Sequence, residues 1–106
     1  MVLDVYVDNQ AIKVEIPENM FTHAYGFFEN MDADMDKGWK MGPSYIENPD
    51  AMMRAQIAAD KMLTAIDAKN DILTQLMAAY IVMKIPEVKS VNIDIHGEPL
   101  NTEITV

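Results

Sequence analysis

The chain begins and ends on alternation. Val5 and Val7 fall on one side of an extended backbone, with Asp4 and Tyr6 opposite. After Asp8-Asn9-Gln10 the same period returns in Ile12, Val14 and Ile16. A period of two matches the pleat of a strand, and two such runs joined by Asp/Asn predict a β-hairpin, which Pro17 closes. At the other end Val91, Ile93 and Ile95 share a face, and so do Leu100, Thr102, Ile104 and Val106. His96-Gly97-Glu98-Pro99 between them predicts the turn of a second hairpin.

Between the hairpins the period changes to that of a helix. From Asn19 to about Met41, the residues Met20, Phe21, Ala24, Tyr25, Phe28, Met31, Met35 and Trp39 fall on one arc of a helical wheel. Asn19 is the expected N-cap, and Gly38 and Gly42-Pro43 are the expected stop. Ser44 and Glu47 have capping-box spacing, which places a helical turn in the connector. Asn48-Pro49-Asp50 predicts a second helix to about Lys69, with Asn48 as cap and Asp50 paired to Arg54 one turn on. Its main stripe is Met52, Ala55, Ala59, Met62, Leu63 and Ile66, with Met53 and Ile57 as a smaller patch. Asn70-Asp71 predicts a break and a new cap. The helix from Ile72 to Lys84 is then apolar on nearly every side, so something must cover every side of it.

The order ββαααββ predicts an α+β fold, with one antiparallel sheet built from both hairpins and three helices packed on one face. With 106 residues, a single domain spanning 1–106 is expected. Half the residues are hydrophobic, which is ample for a core without disulfides, and there are no cysteines. The longest apolar run, residues 76–83, is far short of the roughly 20 residues that a membrane span needs. No basic start and apolar run of signal-peptide type precede the first strand, so a cytoplasmic, soluble protein is expected.

Charge narrows the partners. Net charge is −9, and residues 1–48 hold nine acids against three bases. Such a chain repels a phosphate backbone, so nucleic acid is not an expected partner, and a basic protein is the heterologous partner that the charge suits.

The sharpest local chemistry is Asp32-Ala-Asp34-Met-Asp36-Lys-Gly38. Alternating aspartates followed by glycine resemble the start of an EF-hand calcium loop, where alternate oxygens wrap a hard cation. The pattern departs from that loop twice. Lys37 stands where the glycine belongs, and Pro43 where the closing glutamate belongs. On a helix the three carboxylates diverge, and the helical stripe through Met31, Met35 and Trp39 favours that placement. His23 and His96 are too few for a metal site or a catalytic triad: the nearest acids on the side of His23 include Asp34, eleven residues on, and His96 lies in a turn beside Glu98 with no cleft evident. Ser44 and Ser90 sit in no nucleophile motif, there is no glycine-rich phosphate loop, and Arg54 is the only arginine. No catalytic, cofactor-binding or metal residue is therefore assigned. The ten methionines follow the helical stripes and are expected in a core or an adaptable interface.

The expected role is a non-catalytic interaction or homo-oligomeric assembly module, with a dimer favoured because the third helix needs cover. The alternatives are a calcium-like cation at Asp32, Asp34 and Asp36, or a small apolar ligand in a cavity lined by residues such as Phe28, Met77 and Tyr80.

Overall fold

A computed structural model describes all 106 residues. Strands β1 (Val2–Val7) and β2 (Gln10–Glu15) form the first hairpin, with Val5 opposite Ile12 and Leu3 opposite Val14. Asp8 and Asn9 both take positive φ, 50° and 64°. That is the conformation a two-residue hairpin turn requires, and Asp and Asn tolerate it better than most side chains. Helices α1 (Met20–His23), α2 (Tyr25–Asp36), α3 (Ala51–Asp67) and α4 (Asp71–Lys84) follow, with a small hairpin of β3 (Trp39–Met41) and β4 (Ser44–Ile46) between α2 and α3. The chain closes with β5 (Ser90–Ile93), a 3-10 turn at Pro99–Asn101 and β6 (Glu103–Thr105).

The α+β class and the order ββαααββ hold in outline. The sheet differs in one respect from the expected antiparallel one. Its order is β2-β1-β5-β6, and the central pair β1–β5 is parallel, with Val5 beside Val91 and Val7 beside Ile93. Alternation reports which face of a strand is buried and is blind to chain direction. Direction is set by the end of the sheet at which the helices deliver the chain to β5, which is a tertiary property. Only one face is sealed: Leu3, Val5, Val14, Val91 and Ile93 are buried, while Tyr6, Lys13, Asn92 and Glu103 on the other face are exposed.

The first helix is shorter than expected and broken. Ala24 interrupts it between α1 and α2, and Asn19 makes no side-chain cap bond. Gly38 takes φ +101°, a conformation glycine tolerates and other residues do not, so the helix stops there. Gly42, at φ +65°, then turns the chain between β3 and β4. The segment expected to hold a helical turn at Ser44 is therefore a strand. The Tyr45 hydroxyl donates to the Lys37 carbonyl at 2.8 Å and ties the hairpin to the end of α2. The cap of α3 is also two residues later than expected. Asp50, not Asn48, accepts the Met53 amide, at 2.9 Å. Asn48 cannot cap, because it sits at φ +46° and its amide oxygen is occupied by Arg54. The expected re-cap at Asn70 is present: its side chain accepts the Leu73 amide at 3.1 Å.

The apolar α4 is covered within the chain. Met77, Ala78, Ala79, Tyr80 and Ile81 are each 1% exposed or less, packed against α3 and the rest of a continuous 23-residue core. Of its large side chains only Ile72, in the first turn, stands well exposed, at 68%. The premise that this helix needs a second copy for cover is therefore corrected. Helix α3 is itself wrapped, with Ala55, Gln56, Ile57, Ala58 and Ala59 all buried, so the layer is denser than two isolated stripes suggested.

Candidate functional site

Three places on the molecule carry polar chemistry, and they differ in what is left free. The first contains the aspartates of the calcium-like segment. Helix α2 runs through Asp36, so Asp32 and Asp36 project one turn apart toward Arg54 on α3. Arg54 Nη1 donates to Asp32 Oδ1 at 3.1 Å and to the Asp32 carbonyl at 3.3 Å. Its Nη2 donates to Asp36 Oδ1 at 2.7 Å and Asn48 Oδ1 at 2.9 Å, and its Nε donates to the Pro49 carbonyl at 2.8 Å. A guanidinium has five N–H donors, and each has a partner here. Asp32 also accepts the Tyr80 hydroxyl at 2.7 Å and Lys84 Nζ at 2.8 Å, both from α4.

This arrangement sets the titration of its members. Partial burial pushes the Asp32 carboxyl up, but hydrogen bonds from Lys84, Tyr80 and Arg54 outweigh it and hold Asp32 below the usual carboxylate range. Burial works against the Arg54 charge too, and Asp36 and Asp32 overcome it, so the guanidinium is more firmly protonated than usual. Tyr80 is pushed up, first by burial and then by its bond to the Asp32 carboxylate. A neutral tyrosine, a fixed cation and a fixed anion have no proton to exchange near neutral pH. The cluster fastens α2, the loop before α3, α3 and α4 to one another.

The cation beside these aspartates is thus the protein's own. Asp34 is exposed on another side of α2, and no group of three acids or histidines in the chain is placed to hold a metal ion. The sequence pairing of Arg54 with Asp50 does not form; Asp50 caps α3 and Arg54 reaches across to α2. Met31 and Met35 are core residues, and Met35 Sδ takes a 3.3 Å contact from the Tyr80 hydroxyl. Phe28, Met77 and Tyr80 are packed solid in the core and line neither of the two recesses on the molecule. His23 and His96 are both exposed, at opposite ends of the sequence.

The second place is a polar cleft of about 240 Å³ beside the first hairpin turn, where Asp8, Asn92, Asp94, His96 and Glu103 meet. The Asp94 carboxylate accepts the amides of His96 and Glu98 at 3.0 and 2.8 Å, which builds the turn after β5. Asp60 on α3 is pushed up, first by its desolvation and then by the charge of Asp94.

The third place is the β2 edge of the sheet, the longer of its two open edges, the other being β6. Strand β2 pairs with β1 on one side and with nothing on the other. Met1 and Ile16 exchange hydrogen bonds, 3.3 Å from the Met1 amine and 2.7 Å from the Ile16 amide. Antiparallel ladders alternate bonded and non-bonded pairs, so Val14 and Ile12 point their backbone groups to β1, and Ala11, Lys13 and Glu15 point theirs outward. A groove of about 530 Å³ runs along this edge, between Ile12, Lys13, Val14 and Glu15 on one wall and Ile66, Lys69, Asp71, Thr74 and Gln75 on the other. Lys13 makes a 3.1 Å ion pair with Asp4 on the open sheet face, while Glu15 is exposed and forms no ion pair.

No protein-family model, curated protein or solved structure matches the chain. No helix is long and apolar enough to cross a membrane. The residues that matter most at these places were not evident in the sequence. Arg54 was visible as the only arginine, but its reach from α3 to α2 was not. Gln56, a polar side chain on α3, is buried and donates to the carbonyls of Leu100 and Thr102 at 3.2 and 3.1 Å.

Proposed function

We propose that this chain is a non-catalytic assembly module that works as a homo-oligomer, a dimer in the simplest case. The observation that carries the reading is the free β2 edge, whose outward backbone groups at Ala11, Lys13 and Glu15 lie beside an amphipathic groove. A six-residue strand with one unpaired edge is a template for another strand. A non-catalytic role is supported by the charged cluster around Arg54, where every guanidinium donor is already bonded within the chain. A cation at the aspartate segment has less support, since Asp32 and Asp36 face an arginine already. An apolar ligand among Phe28, Met77 and Tyr80 has less support for the same kind of reason: the core there is filled.

Sedimentation equilibrium across a range of concentrations tests the proposal. A mass of twice the chain at micromolar concentration is expected. A chain that stays monomeric up to hundreds of micromolar would remove the assembly role.

A further inference from the structure

We infer that the occupant of the β2 edge is the β2 strand of a second copy, antiparallel, with the two-fold axis passing beside Val14. This rests on the assembly reading above and specifies its interface. Strand register selects the axis. Only Ala11, Lys13 and Glu15 offer outward backbone groups, so only odd-numbered positions can exchange hydrogen bonds across the new pair. An axis beside Lys13 would set two lysines opposite each other, and one beside Glu15 would set two glutamates opposite. Like charges directly across a strand pair repel and opposite charges attract. An axis beside Val14 sets Lys13 against Glu15 of the partner subunit, and the two-fold repeats that pair.

The neighbouring rows agree with this choice. On the open sheet face Lys13 already holds Asp4. The new row reads Asp4, Lys13, then the partner's Glu15, alternating in sign. On the helix side the same register sets Val14 against its own copy and the half-buried Ile12 against the partner's Ile16, apolar against apolar, and since Val14 and Ile16 are already sealed within the chain, Ile12 is the side chain that gains cover there. A one-residue shift would lose both matches, because strand side chains have a period of two.

Charge exchange tests this at 0.15 M salt, where the general repulsion between two acidic chains is screened beyond about 8 Å. Lys13 and Glu15 are exposed, so the single variants Lys13→Glu and Glu15→Lys should fold as the wild type does, which circular dichroism confirms. Each variant alone carries two like-charged pairs at the interface, and its dimer dissociation constant should rise about tenfold or more. A one-to-one mixture of the two variants restores two opposite-charge pairs, and sedimentation should show a heterodimer near wild-type affinity. Hydrogen exchange gives an independent readout: the Ala11, Lys13 and Glu15 amides should slow as concentration rises. A wild-type chain that is strictly monomeric overturns both the assembly reading and this interface. A dimer indifferent to both variants, with those amides still fast, overturns the interface alone. Variants that both dissociate and do not recover on mixing overturn the Val14 register.

Discussion

The Arg54 cluster and the β2 edge use the same kinds of residue to opposite effect. Around Arg54, two aspartates of α2, Asn48 and the Pro49 carbonyl leave no guanidinium donor unpaired, and a tyrosine and a lysine of α4 donate to Asp32 in turn. Along β2, a lysine and a glutamate flank backbone groups that have no partner within the chain. A buried guanidinium bonded on every side by its own fold is a fastener, because removing it breaks all of those bonds at once. A charge beside an open edge costs the fold little and remains available to something else. The difference shows that a cluster of ionisable groups is not a site by virtue of its density; what counts is the bonding capacity left over.

Substitutions should separate the two regions by size of effect. Arg54→Ala removes five hydrogen bonds at once and leaves Asp32 and Asp36 facing each other, so a loss of about 3 kcal/mol is expected in urea denaturation. Arg54→Lys should recover only a minor part, since an ammonium cannot span the same acceptors. Gln56→Leu keeps the bulk but strands the carbonyls of Leu100 and Thr102, for about 2 kcal/mol. Tyr80→Phe removes one hydroxyl from Asp32 and should cost about 1.5 kcal/mol. Carboxyl NMR should then show Asp32 titrating closer to its ordinary value. At the edge, Lys13→Glu should change fold stability by less than about 0.5 kcal/mol while altering self-association. An edge substitution that unfolds the chain, or an Arg54 substitution that leaves it as stable as before, would break the contrast.

Acid should weaken the cluster. Asp32 titrates lower in the folded chain than in the unfolded one, despite the opposing effect of burial, because Lys84, Tyr80 and Arg54 hold its charged form. Its contribution is therefore complete above the ordinary carboxylate value near 4 and is lost as pH falls through the lower folded value. Asp32→Asn should be less stable at neutral pH and should flatten that part of the acid limb. Denaturation midpoints at pH 7 and pH 3 measure both effects.

The sequence by itself determined the elements and their inward faces. Alternation marked Val5, Val14, Val91 and Ile93 as buried strand positions, and helical spacing marked Phe28, Met35, Ala55, Ala59 and Met62 as core. These are local properties, since the period of side chains follows from the backbone conformation alone. The helical stripe also set Asp34 on a different side of α2 from Asp32 and Asp36, which meet at Arg54. Three things were left to the tertiary structure. The parallel direction of β5 depends on where the helices return the chain. The early end of α2 depends on Gly38 and on the Tyr45 bond that draws residues 39–46 into a hairpin. The partners of Arg54 lie 22 and 18 positions back, at Asp32 and Asp36, and no periodicity reaches that far. The cover of α4 belongs with them: an apolar circumference states that a helix must be buried, and only the packing of α2, α3 and the sheet around it decides that the chain buries it alone.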